Sequence, residues 1–254
     1  MASNSHIEWT EATWNPIVGC SIISPGCTNC YAMRLAGRLE AMGSEKYAGL
    51  TRISGGRPKW KGFMRLHVPS LDVPKTWRRG RLVFVNSMSD LFHDRVHTNW
   101  IQSIFKVMAE TPRHRYQVLT KRPERALSLD EALPWPENIW LGASVENADY
   151  IDRIDALRQS SAHVKFLSLE PLLGPLDNLN LHGIDWVIAG GESGPGARPV
   201  DPAWIRSIRD ECIKQGVAFH FKQWGGANKK KSGRILDGRT WDELPQSRPL
   251  VAAE

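Results

Sequence analysis

Six short apolar runs recur through this chain, and each breaks off into a polar or glycine-containing cluster. Leu82–Val85 leads into Asn86-Ser87-Met88-Ser89-Asp90, residues 116–119 into Thr120-Lys121-Arg122-Pro123, and residues 139–141 into Gly142-Ala143-Ser144-Val145-Glu146-Asn147. Residues 164–167 lead into Ser168-Leu169-Glu170-Pro171, residues 186–189 into Gly190-Gly191-Glu192-Ser193-Gly194, and residues 218–221 into Lys222-Gln223-Trp224-Gly225. Mostly apolar runs rich in β-branched and aromatic residues, interrupted only at Gln117, Lys165 and His220 and bounded by turn residues, are the pattern of parallel strands buried on both faces. Between them lie helical periodicities: 99–110 with Ile101, Ile104, Phe105 and Met108 on one face, 149–158 with Tyr150, Ile154 and Leu157, and Pro202–Gln215 with Ile205, Ile208 and Cys212.

Strand and helix in alternation imply βαβ units around a parallel sheet. The expected fold class is α/β, a (β/α) partial or closed TIM-like barrel of about six to seven parallel strands. In such barrels the loops after the strands form the active face, and here those loops carry the polar clusters. The chain reads as a single domain over 1–254, with an irregular insertion at about 45–77, a short strand at 64–68 inside it, and a basic C-terminal segment at about 225–254. An early strand near 14–18 leads into a cysteine loop, and a helix begins around Tyr31 with Ala32, Met33, Leu35, Ala36, Leu39 and Met42 as its apolar residues.

Cys20, Cys27 and Cys30 lie in that loop, and Cys212 is the only other cysteine of the 254 residues. Structural zinc takes four protein ligands and a 4Fe–4S cluster is normally closed by four thiolates, so three clustered thiols leave one coordination position for something else. Cys212 sits on the apolar face of its helix, where a free thiol packs as a small hydrophobe. A disulfide framework is not expected with this cysteine pattern. No apolar run approaches the roughly 20 residues of a membrane span, and residues 1–6 show no secretory h-region, so the expectation is a cytoplasmic protein with no membrane partner.

The chain carries 33 Lys and Arg against 27 Asp and Glu, a net charge of +6. The basic residues are grouped: Arg52 to Arg65, Lys75 to Arg81, Arg113 to Arg125, and Lys229 to Arg239. Trp60, Trp77 and Trp224 stand beside them, as a surface that stacks nucleic-acid bases would require. The competing reading is a solvated basic face with its tryptophans in the core.

A three-cysteine loop after a first strand, Tyr31 beside the last cysteine, and a barrel of this length resemble the radical S-adenosylmethionine enzymes. The spacing here is Cys-x6-Cys-x2-Cys; the usual first gap is three residues, and Asn29 stands where an aromatic often precedes the last cysteine. The resemblance implies a 4Fe–4S cluster on Cys20, Cys27 and Cys30, with S-adenosyl-L-methionine chelating the fourth iron and yielding, on reduction, a radical that abstracts hydrogen from substrate. The chain is also similar, over nearly its whole length, to a phage- and bacterium-associated family of three-cysteine proteins. Thr13-Trp14-Asn15-Pro16 through Cys30-Tyr31-Ala32, Ala189 to Gly194, Phe221 to Gly225, and Lys231-Ser232-Gly233-Arg234 to Trp241-Asp242 carry that similarity. Members of that family have been likened to spore photoproduct lyase, which splits a thymine photodimer in DNA.

What the resemblance implies for the site can be written residue by residue. Asn86, Ser87, Ser89 and Asp90 would accept from the amino group of S-adenosylmethionine, Ser144 and Glu146 would contact its ribose, and barrel geometry would aim Glu192 at the same cavity. Glu170 and Lys222 complete the ring as catalytic candidates. With Cys212 in the core, Tyr31, Tyr47, Tyr116 or Tyr150 would return hydrogen to the product radical. The implied partners are nucleic acid, DNA above all, and an electron donor such as flavodoxin or ferredoxin. From the residues alone, a zinc or iron–sulfur nucleic-acid-binding module without catalysis, with His6 or His220 as an added ligand, stays open, as does a radical enzyme that modifies nucleic acid. His93 and His97, four apart, have the spacing of metal ligands on a helix but read better as loop and cap residues.

Overall fold

The computed structural model describes residue 5 and residues 7–245. Its elements, in chain order, are β1 (Ala12–Trp14), β2 (Ile17–Val18), α1 (Tyr31–Ala41), β3 (Thr51–Ser54), β4 (Arg57–Trp60), β5 (Arg65–Leu66), β6 (Leu82–Val85), α2 (Thr98–Ala109), β7 (Arg115–Thr120), α3 (Pro123–Ser128), β8 (Ile139–Ser144), α4 (Arg153–Arg158), β9 (Val164–Leu169), β10 (Trp186–Gly190), α5 (Pro202–Gln215) and β11 (Ala218–Gln223). Seven strands form one sheet in the order β1-β6-β7-β8-β9-β10-β11, every pairing parallel. Each strand therefore lies beside the previous strand of the sheet, and the sheet curls into a half-barrel, the partial TIM-like architecture expected from the strand rhythm.

Register sorts the side chains into two layers. The convex face carries Trp14, Val83, Val85, Tyr116, Val118, Leu141, Leu167 and Val187, which pack with Ile101, Ile104 and Phe105 of α2, Ile154 and Leu157 of α4, and Ile205, Ile208 and Cys212 of α5. The concave face alternates with it. Phe84, Trp140, Phe166, Trp186 and Ile188 point inward, and Trp9 from the segment before β1 closes over them. This aromatic plug fills the floor of the half-barrel.

Gly142 of β8 is required by that plug. A Cβ there would lie 2.4 Å from the ring of Phe166, which is fully buried between Trp9 and Trp186 and cannot swing aside. Gly142→Ala is expected to destabilise the protein by about 1–3 kcal/mol and to lower Tm by roughly 5 °C; an unchanged thermal unfolding curve would show that the plug has slack.

Several sequence expectations shift in detail. The early strand at 14–18 is two elements: β1 joins the sheet, while β2 peels away to pair antiparallel with β5, the short strand expected inside the insertion. The insertion also holds the β3–β4 hairpin, whose Arg-Ile-Ser-Gly-Gly-Arg-Pro sequence gave no clear alternation. On α1 only Ala32, Met33 and Ala36 are buried, with Leu39 packed in part; Leu35 is 37% and Met42 74% exposed, so the apolar face is narrower than expected. Of the basic C-terminal segment, residues 241–243 run beside β11 through Phe221 N to Trp241 O and Glu243 N to Phe219 O, and residues 246–254 lie outside the described residues. Among the described residues no helix is long and apolar enough to cross a membrane.

Candidate functional site

Above the aromatic plug, the concave side chains become polar. Asn86 follows β6, Lys121 follows β7, Ser144 and Ser168 sit side by side in the β8–β9 register, Glu170 follows β9, and Lys222 lies on β11. They surround a cavity of about 440 Å³ whose floor is Trp9, Phe84 and Leu119 and whose roof is the cysteine loop. Cys20, Cys27 and Cys30 all line it, as do Tyr31, Ser87, Ser89, Asp90 and Glu192. The volume lies within the usual range for small-molecule sites.

The loop is built by local chemistry. Gly19, at φ +98°, turns the chain out of β2, and a Cβ there would sit 2.0 Å from the Phe63 carbonyl oxygen. Pro25 starts a single 3-10 turn, Pro25–Cys27, closed by Cys27 N to Ser24 O, and Cys30 N bonds Cys27 O as α1 begins. All four cysteines are free thiols. Burial, then the charge of Asp90, pushes the Cys20 thiol up, and burial raises that of Cys30 against the opposing backbone amide of Met33. Loading a metal onto such thiols releases protons.

Strand-end charges pin the loop on every side. Ser24 Oγ donates to Glu146 Oε1 at 2.5 Å, and Gly26 packs so tightly on Glu146 that a Cβ would meet its Oε1 at 2.5 Å. Asn29 Nδ2 donates to Glu192 Oε2 at 3.0 Å, and Arg198, clamped on Glu192, reaches the Pro25 carbonyl at 2.9 Å. Ser21 Oγ accepts from Arg122 at 3.0 Å and meets His93 Nε2 at 2.8 Å; Arg122 in turn pairs with Asp90 at 2.9 Å.

These contacts reassign several residues. Glu146 is fully buried and does not line the cavity; its oxygens are held by Ser24, Lys121 and Arg153, so it is a clamp on the loop rather than a ribose ligand. Burial alone would raise its carboxyl, but Lys121, Ser24 and Arg153 outweigh that and hold it below the ordinary value. Glu192 is likewise held low, burial being outweighed by Arg198 and Asn29. Asp90 accepts from Phe92 N, Thr120 Oγ1, Lys121 N and Arg122, which leaves no acceptor free for an amino group. Ser89 donates to the Ile17 carbonyl, and Ser87 Oγ to Asn15 Oδ1. Asn86 spends its Oδ1 on Ile17 N and keeps a buried, unpartnered Nδ2, a donor rather than an acceptor. The Ser144 and Ser168 hydroxyls have no partner among the described residues.

The catalytic candidates remain together. Lys222 Nζ is held bidentately by Glu170 at 2.8 and 2.7 Å, with Gln223 Nε2 at 3.2 Å from the same carboxylate. Tyr31 is the tyrosine of the cavity, its hydroxyl donating to the Ser87 carbonyl at 2.7 Å; Tyr47 and Tyr116 are buried elsewhere, and Tyr150 stacks under Arg153. Cys212 is fully buried in the convex layer. His220 stacks on Trp186 and does not line the cavity, which removes it as a fourth ligand; His6 lies outside the described residues. His93 belongs to the loop network, and His97 occupies the N-cap position of α2 without a side-chain capping bond. Trp60 is largely buried but lines the cavity, Trp77 packs against His114, and Trp224 packs against Phe221. Lys121, Arg122, Asn29, Ser168 and Arg198 were missed as site residues, although Lys121, Arg122 and Ser168 stand in the strand-end clusters that marked the others. Among the described residues no three His, Cys, Asp or Glu side chains converge as a ligand set for a single ion.

The model of the family described as "Protein of unknown function (DUF5131)" matches residues 4–245. The chain belongs to that family. No curated protein and no solved structure matches it. In this family member, the matched span takes in the cysteine loop and all seven strands of the sheet.

Proposed function

We propose that this chain is a radical S-adenosylmethionine enzyme acting on nucleic acid and, within that class, a photoproduct lyase that repairs UV-induced pyrimidine dimers in DNA. The observation that carries the reading is one loop placing three free thiols over a cavity at the C-terminal ends of half-barrel strands, with the fourth thiol packed in the outer layer. Three soft ligands and room for a nucleoside-sized molecule fit a 4Fe–4S cluster with an open iron. Cys20, Cys27 and Cys30 would hold it; when bound, the cluster with S-adenosylmethionine supplies one-electron cleavage and hydrogen abstraction, with flavodoxin or ferredoxin as the electron source.

The chain's own residues then have definable work. The Asn86 amide is a donor suited to a carboxylate, and the Ser144 and Ser168 hydroxyls are suited to a sugar or base edge. Trp9, Phe84 and Leu119 keep the floor dry. The Glu170–Lys222 pair puts a positioned cation in the wall at no net charge. Tyr31 is the group placed to return hydrogen to a substrate radical.

Anaerobic reconstitution with iron and sulfide, reduction, and addition of S-adenosylmethionine should give a brown protein that releases 5′-deoxyadenosine. Incubation with UV-irradiated DNA should restore thymine. A colourless protein holding one zinc overturns the radical reading, and cofactor cleavage without repair of any dimer overturns the photoproduct reading alone.

A further inference from the structure

Helix α1 turns an unusual face outward. Tyr31, Arg34, Leu35 and Arg38 fall at i, i+3, i+4 and i+7, a single stripe, opposite the buried Ala32, Met33 and Ala36. Tyr31 is 49% and Leu35 37% exposed. The stripe is one wall of a groove whose other wall is Ser193-Gly194-Pro195, and none of its lining residues is acidic. Tyr31 and Ser193 line both the groove and the cavity, so one runs into the other.

The cations here differ from most in the chain. Arg113, Arg153 and Arg198 are consumed by carbonyls and carboxylates. Arg38 is exposed with no hydrogen bond or ion pair among the described residues. Arg34 commits one nitrogen, Nη2, to Asn29 Oδ1 and the Pro195 carbonyl. Arg57 extends the track from β4, its Nη1 lying 3.7 Å from where a Cβ of Gly196 would stand. Unpaired guanidinium groups along a groove with an exposed tyrosine match a chain of phosphates with bases to stack.

We infer that this groove binds the backbone of single-stranded nucleic acid, with Arg34, Arg38 and Arg57 facing phosphates and Tyr31 stacking the base that enters the cavity. The assignment builds on the nucleic-acid reading above and is independent of its radical chemistry. Bases paired inside a duplex cannot reach such a cavity without leaving the stack, so single strands are expected to bind more tightly than duplex.

Fluorescence anisotropy of the full chain with a labelled oligothymidylate of about 12 nucleotides, titrated over roughly 50–200 mM salt, tests this. Arg38→Glu combined with Arg57→Glu is expected to weaken binding at least about tenfold and to reduce the salt slope by about 1 or more. Arg38→Lys should bind nearly as wild type, and Arg79→Glu, at an exposed arginine outside the groove, should change little. Wild-type binding that survives the double reversal overturns the groove while leaving nucleic acid as the substrate; no binding of any nucleic acid by the wild type overturns both. An equal loss in Arg79→Glu also overturns the groove, in favour of a diffuse positive field.

Discussion

Cys27→Ala protein, reconstituted anaerobically with iron and sulfide, is expected to lose the 4Fe–4S absorbance and, with it, all cleavage of S-adenosylmethionine. Iron should fall from about four per chain towards background, because a cluster already held by only three thiolates has no spare ligand. Cys27 is the most telling of the three. It is the most buried, it ends the Pro25–Cys27 turn, and its Sγ lies 3.6 Å from Ser24 Oγ. Cys212→Ala provides the comparison, since that thiol packs with Ile205 and Ile208 far from the cavity lining and should leave iron content intact. Full iron in the Cys27 variant would refute the ligand assignment.

Glu146→Gln should be the most damaging isosteric change for stability. The glutamate is fully buried with Lys121 and Arg153 on its two oxygens, both cations being themselves largely buried. Removing one member of such a network strands the other charges, at a cost of about 3–5 kcal/mol, or roughly 10 °C in Tm for a chain of this size. Its pH dependence has a defined sign. The folded carboxyl is held below the ordinary value of 4.5, so the unfolded chain protonates first on acidification. The stabilisation is therefore complete above about pH 4.5 and is lost as pH falls through the folded value. Urea midpoints of wild type and Glu146→Gln should accordingly differ most near neutrality and converge in acid. A gap that stays constant down to pH 3 would show that the clamp does not depend on its charge. Because Ser24 and Gly26 rest on the same carboxylate, the variant should also load iron poorly at temperatures where it is still folded.

The parts of the fold legible in the sequence are those governed by local periodicity. Apolar runs such as Leu82–Val85 have no polar residue to turn outward, and their shortness, β-branched residues and flanking turn residues mark them as interior strands, while Pro202–Gln215 repeats its apolar residues at helical spacing between an Asp201 cap and Gly216. The β3–β4 hairpin and α3 escaped notice because their residues are mostly polar or follow a proline, and their apolar pattern is too short to register. Leu35 misled for a related reason: periodicity marks it as apolar but cannot say that the next element packs beside Ala32 and Ala36 instead.

The candidate site divides in the same way. Sequence by itself determined that three thiols share one short loop, which strand ends carry polar clusters, and that the fourth cysteine lies far along the chain, since these follow from residue identity and order. Tertiary structure alone decided which charges are free. Asp90, Glu146 and Glu192 look like cofactor ligands until Arg122 and Lys121, distant in sequence, and Arg153 and Arg198, in the segments that follow Glu146 and Glu192, are found holding them; a buried carboxylate must be paired, and which cation reaches it is decided by how the strand ends and the loops after them come together. The three carboxylates are held in the network around the cysteine loop, while Asn86, Ser144, Ser168 and Tyr31 line the cavity beside the Glu170–Lys222 pair.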